Sequence, residues 1–253
     1  MMEKFKMKNQ VDNYYISHKE KLLKNFDKTA SLIRGFVVSS FGSDFADTLY
    51  REVRREYEEL IPQIPHIESA AGVALNTFLL ITAQELTVYR VMKKYGKTSG
   101  EAWEICHHAL RLRLEKFPKI KRWLLTHLMY SNFLRRVMRK RAEKGQQRKV
   151  GGFEVKYIIG DGENFDWGVD YLQCGNYKFL QDQGAEEFAP YVCMSDIALS
   201  DAMEWGLIRT ETLADGCERC DFRFKKKGET QISSKTPEVQ ATIEKIKKKE
   251  NGI

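Results

Sequence analysis

Between Asp170 and Phe224 this chain gathers four of its five cysteines, together with carboxylates and arginines, on short segments bounded by glycine. They read DYLQCGNYKFL, then PYVCMSDIALS, then GLIRTETLADGCERCDFRF. Cys193 precedes Asp196 by three residues, a spacing that puts thiol and carboxylate on one face of a helix. A carboxylate can accept or orient a proton, but by charge alone it raises a neighbouring thiol's pKa, so such a pair needs a cation beside it. Arg209 or Arg223, projecting from predicted strands, can supply that cation, and either can grip a substrate carboxylate through two hydrogen bonds. The plainer alternative makes Asp196 a helix-turn residue and the arginines surface ion pairs.

The other thiols have competing readings. Cys217 and Cys220 form a CxxC, which argues for zinc only when a second pair completes the set. Cys174 and Cys193 can complete four ligands in space, but each stands isolated in a different helical region. A redox CxxC opens a helix, whereas this pair enters a strand. Any one of these cysteines is equally a small buried hydrophobe. In the CDFRF ending, strand alternation sets Cys220, Phe222 and Phe224 on one face and Asp221 with Arg223 on the other. Gly175 and Asn176 follow Cys174 at a strand-to-helix turn whose N–H groups can meet an anion. His107 and His108 point in different directions from mid-helix. No HExxH, GxSxG, P-loop or dinucleotide fingerprint is present. The reading expects no metal and no cofactor, and a thiol/carboxylate site that takes a small molecule.

Those segments need elements to hold them. Residues 1–150 read as helix after helix, beginning with a polar, weakly amphipathic stretch over 3–25. Leu32 to Tyr57 carry helical spacing broken at Phe41-Gly42-Ser43-Asp44, and Pro62 and Pro65 end that run. An apolar helix over Ser69–Tyr95 closes at Gly96. Thr98 and Glu101 make a capping box for the next helix, which Pro118 stops, and a basic helix covers Lys121–Lys144. Alternation then appears in Phe153–Ile159 and Trp167–Leu172. Two helical pieces follow, over 176–183 and 185–200. The segment 207–213 and Cys220–Lys226 form a second strand pair. The expected fold is α+β: a helical N-terminal region (1–150), a ββααββ unit with a small antiparallel sheet (151–227), and a loose polar tail (228–253) whose lysine-rich end turns helical after Pro237.

Composition narrows the class. With 42% hydrophobic and 11% aromatic residues the chain has ordinary globular proportions and enough length for a full core. No run of eighteen apolar residues occurs, and the charged start MMEKFKMKNQVDNYY lacks a signal-peptide core, so a cytoplasmic protein with reduced thiols and no membrane partner is expected. The net charge of +7 is concentrated in Arg135–Lys149 and after Lys225. No zinc finger, helix-turn-helix or aromatic-interleaved basic strand accompanies it, so solvated helix surface is expected rather than nucleic-acid binding. Self-association stays open.

Four pieces recur in order: Cys174-Gly175-Asn176-Tyr177, Cys193-Met194-Ser195-Asp196, Arg209 to Thr212 on a strand, and Gly216 followed by Cys220-Asp221-Phe222-Arg223-Phe224. In them the chain resembles the L-2-amino-thiazoline-4-carboxylic acid hydrolase family. The resemblance implies hydrolytic opening of a cyclic isothiourea, 2-amino-thiazoline-4-carboxylate, to N-carbamoyl-cysteine. It nominates Cys193 and Asp196 as the chemical pair, with Arg209, Cys174, Asn176, Thr212, Cys220 and Arg223 around the substrate. Asp196 would stabilise the ring amidinium and deprotonate water. Cys193 would either attack the ring carbon or act as an acid toward the leaving thiolate, and water attack is the preferred course. Cys217 stands where the family commonly has another residue. A sensor that binds without catalysis, or a cysteine-ligated zinc protein, are the alternatives.

Overall fold

The computed structural model describes residues 14–69 and 72–250, with side chains to position 246. The chain divides into two compact units. One takes the residues up to Leu112 together with Phe179–Phe188; the other takes Arg113–Lys178 and the chain from Ala189 onward.

The first unit is helical. Helices α1 (Tyr14–Ser17), α2 (Lys19–Phe41), α3 (Ser43–Leu60) and α4 (Gly72–Lys94) lead into α5 (Ser99–Lys116). The part of the predicted N-terminal helical stretch before Tyr14, and positions 70–71 of the predicted apolar helix, lie outside the described residues. Helix α3 shows why the pattern folds as it does: Ala46, Leu49, Val53, Tyr57 and Leu60, three or four apart, are all buried. Leu49, Val53 and Leu60 each contribute on the order of 1.5–3 kcal/mol by leaving water. Gly42, at φ +86°, makes the expected break between α2 and α3. The capping box forms as read, with Thr98 N donating to Glu101 Oε2 at 2.8 Å and Glu101 N to Thr98 Oγ1 at 3.1 Å.

The second unit carries the sheet. Its leading basic helix is two helices, α6 (Lys119–Met129) and α7 (Asn132–Glu143). They break at Ser131, whose hydroxyl caps α7 by accepting from Leu134 N at 3.2 Å. Buried Tyr130 donates to the carbonyl of Trp205, fixing that joint. Strands β1 (Gln147–Val150), β2 (Phe153–Ile159) and β3 (Trp167–Gln173) form a meander. Then come α8 (Gly175–Asp182), α9 (Ala189–Cys193), α10 (Ser195–Met203), β4 (Leu207–Arg209), β5 (Cys220–Phe224), β6 (Gln231–Ile232) and α11 (Pro237–Glu250). The sheet order is β1-β2-β3-β5-β4-β6.

The α+β class and the two antiparallel strand pairs stand as expected, while the sheet is wider and mixed. The strand β1 adds one edge, and β6, parallel to β4, adds the other. The described part of the tail is therefore not loose: Ile232, Val239 and Ile243 are buried. The predicted strand over 207–213 stops at Arg209, because Leu213–Asp215 turns as a 3-10 segment capped by Thr212. Among the described residues no helix is long and apolar enough to cross a membrane.

Candidate functional site

Strand register decides which residues can meet. Across β3 and β5, Trp167 pairs with Phe224, Val169 with Phe222 and Tyr171 with Cys220; β4 continues this face through Leu207, opposite Phe224. Two residues along, Arg209 falls on the same face, with its guanidinium 5.9 Å from the Phe222 ring. Gly168 with Arg223 and Asp170 with Asp221 occupy the other face.

On the Arg209 side lies the joint between α9 and α10. Cys193 ends α9 and Asp196 sits in the first turn of α10, so the i,i+3 pair survives although the helix is interrupted at Met194. Arg209 is 2% exposed. Its Nη2 donates to the Cys193 carbonyl at 3.1 Å, and its Nε stands 3.4 Å from Asp196 Oδ2. That ion pair is not an aligned hydrogen bond, so the buried Nε has no hydrogen-bond acceptor.

Cys174 joins from the strand-to-helix turn before α8, its sulfur accepting from the N–H groups of Asn176 and Tyr177. The turn is tight: a Cβ on Gly175 would lie 2.4 Å from the Phe153 ring. Cys220 reaches the cluster from β5, its sulfur 3.3 Å from Leu213 N. Asn176, whose N–H meets the Cys174 sulfur, has a side-chain oxygen that is buried and has no donor.

Five groups able to carry negative charge thus surround one cation. Burial pushes the Cys193 thiol well above its ordinary range, more than Arg209 pulls it back. Burial does the same to Cys174, against its two N–H donors, and takes Cys220 up to about 12. The Tyr171 hydroxyl is raised by burial and then by Cys174, Asp196 and Cys220. Asp196 is also raised by burial and partly restored by Arg209. A single guanidinium can sustain one anion at this depth, and the carboxylate, intrinsically the strongest acid, takes it. The thiols and the phenol stay protonated. Asp196 is also the reachable member of the pair, its side chain 25% exposed against 2% for Arg209.

Two nominated residues are engaged with other partners. Arg223, on the opposite face, is bound to Asp170 at 2.8 Å and lies over the Phe165 ring. Thr212 is buried and caps its own turn, accepting from Asp215 N at 3.0 Å. Cys217 faces Lys235, which donates to its sulfur. The five cysteines are free, and among the described residues no three His, Cys, Asp or Glu side chains are grouped as metal ligands.

Three residues that were not nominated for the site matter to the geometry. Tyr171 lies among the thiols; its signal was the period-2 phase shared with Trp167 and Val169. Asp221 accepts from Thr210 N, Thr210 Oγ1 and Glu211 N at 2.6–2.8 Å, which holds the chain leaving Arg209. Asp215 accepts from Ser234 Oγ at 2.6 Å and Thr236 Oγ1 at 2.9 Å, tying the turn to the loop between β6 and α11.

Residues 83–224, more than half of the chain, match the L-2-amino-thiazoline-4-carboxylic acid hydrolase family, and the chain belongs to that family. No curated protein and no solved structure matches it.

Proposed function

We propose that this member of the L-2-amino-thiazoline-4-carboxylic acid hydrolase family opens a small cyclic isothiourea carboxylate by adding water at the carbon between nitrogen and sulfur. The observation that carries the reading is the Asp196–Arg209 ion pair set among protonated thiols. Such a substrate is an amidinium and a carboxylate in one molecule. The partly exposed carboxylate of Asp196 suits the amidinium. Arg209 is committed to Asp196 and to the Cys193 carbonyl, so its part is to hold that anion, and the donor-free oxygen of Asn176 suits the exocyclic amine.

The steps balance with one water. Asp196 takes a proton from water as its oxygen bonds to the ring carbon. The carbon–sulfur bond then breaks, the proton held by Asp196 passes to the departing sulfur, and the remaining hydroxyl proton, which balances the charge of the amidinium, leaves to solvent, so that a carbamoyl group remains on nitrogen beside a free thiol. Attack by Cys193 is disfavoured, because the nucleophile is the thiolate and burial keeps this sulfur protonated. A thiol held that high is also a poor acid toward a thiolate, whereas a protonated carboxyl is a good one. Arg209 holds Asp196 ionised and the Cys193 carbonyl in place.

Mass-spectrometric assay of 2-amino-thiazoline-4-carboxylate turnover tests this. Asp196→Asn is expected to lose about 10²–10⁴-fold in kcat, while Cys193→Ala keeps measurable turnover and the wild type accumulates no covalent adduct. Undiminished turnover in Asp196→Asn would refute the assignment. An adduct on Cys193 would restore covalent catalysis, and binding without product would point to a sensor.

A further inference from the structure

A second cleft of about 360 Å³ opens elsewhere in the sheet unit, between α7 and the β2–β3 hairpin. Arg135, Arg136 and Arg139 line it, and none of them forms an ion pair with the described residues. At spacings of three and four residues their guanidinium groups share one side of α7. Trp167, 8% exposed, lines the cleft too, and its indole N–H is buried without an acceptor. Three guanidinium groups with free donors, and a tryptophan whose indole N–H is unmet, therefore line one space.

The two carboxylates in the cleft form no ion pair with the arginines, which outnumber them three to two. Asp161 accepts from the N–H groups of Glu163, Asn164 and Phe165 at 2.7–3.3 Å and from the Asn164 side chain at 2.6 Å, which holds its pKa at about 2. Asp166 accepts from Lys226 N at 2.8 Å. Both are committed to the hairpin turn, and the arginines keep their donors for something else. Met138, Ile158 and the Trp167 ring give the cleft an apolar floor.

We infer that this cleft binds a small phosphate-bearing molecule with an apolar or aromatic portion, of nucleoside monophosphate size. Guanidinium forks match phosphate oxygens, the indole N–H adds a donor that a buried site otherwise leaves unmet, and the volume lies in the small-ligand range. The site is independent of the Asp196 cluster and of the hydrolase reading.

Calorimetric titration of the full chain with adenosine monophosphate, inorganic phosphate and a short single-stranded RNA decides the matter. The expected result is saturable binding of the mononucleotide, tighter than phosphate, with a change in tryptophan fluorescence. Arg135→Gln with Arg139→Gln should weaken it about tenfold or more, since one charge-assisted hydrogen bond is worth roughly that factor. Trp167→Phe should weaken it and remove the fluorescence change. Both arginines are exposed, so the paired variant tests the proposal even if Trp167→Phe folds poorly. Absence of saturable mononucleotide binding overturns the inference. So does binding unchanged by the arginine substitutions, or tight binding of the RNA alone.

Discussion

At the scale of single residues, the site turns on how one buried cation is shared. Asp196 and three thiols compete for Arg209, and burial raises the pKa of all four. If Asp196 is the base, kcat/KM rises with pH as its carboxyl ionises, with a midpoint above the ordinary aspartate range because burial outweighs Arg209. Removing the cation in Arg209→Gln takes away the opposing influence, so the rising limb should move to higher pH as well as fall in height. A limb that stays in place would uncouple Arg209 from the base. Tyr171 offers a second test. Tyr171→Phe keeps the edge-on packing against Phe222 and Phe153 and deletes only the buried hydroxyl. Turnover should drop about tenfold, the worth of one hydrogen bond, with a thermal midpoint near wild type; unchanged turnover would make Tyr171 a packing residue.

At the scale of elements, short-range devices aim the site. Strand β4 is three residues long, yet it must deliver Arg209 to the correct face. Asp221 clasps the backbone just beyond it, and Gly206 makes the entry turn just before it, at φ +56°, where a Cβ would lie 2.0 Å from the carbonyl oxygen of Lys225. Gly206→Ala combines left-handed strain with a backbone clash and should cost about 1–3 kcal/mol, measured by chemical denaturation, with activity falling alongside. Away from the site, Thr98→Ala removes one half of the α5 capping box and should cost about 1 kcal/mol without changing kcat. The capping box was legible because its partners are three residues apart. The split of the basic helix at Ser131 was not, because Tyr130 and Trp205, which hold the joint, are far apart in sequence.

At the scale of the whole molecule, the two units carry different acid-sensitive groups. In the helical unit His107, stacked on Trp103, is held down to about 4 by burial and by Arg111 and His108. Its folded pKa lies below the unfolded value, so its stabilisation is complete above about 6.5 and is lost as pH falls toward 4. That shift is worth on the order of 3 kcal/mol. In the sheet unit burial raises Asp215, but hydrogen bonds from Ser234, Thr236 and Thr212 outweigh it and hold the carboxyl low. That support is present above about 3.9 and disappears only as pH falls through the lower folded value. Peptide-resolved hydrogen exchange should therefore show the helical unit loosening first between pH 6.5 and 4, and His107→Leu should delay it. Simultaneous loosening of both units would contradict this order.

Much of this protein was settled by local pattern. Helical spacing, Gly42, the Thr98–Glu101 box and the alternation in Phe153–Ile159 and CDFRF each report on neighbours within a few positions, so they can be read from the chain. The same alternation put Cys220 and Phe222 together and Arg223 on the other face. What no local pattern carries is strand register and depth. Both Arg209 and Arg223 had the right chemistry, and only the pairing of β4 with β5 turned Arg209 toward Cys193 and Asp196 while Arg223 met Asp170. Only burial, which depends on everything packed around the cluster, keeps the thiols protonated and leaves the charge to Asp196.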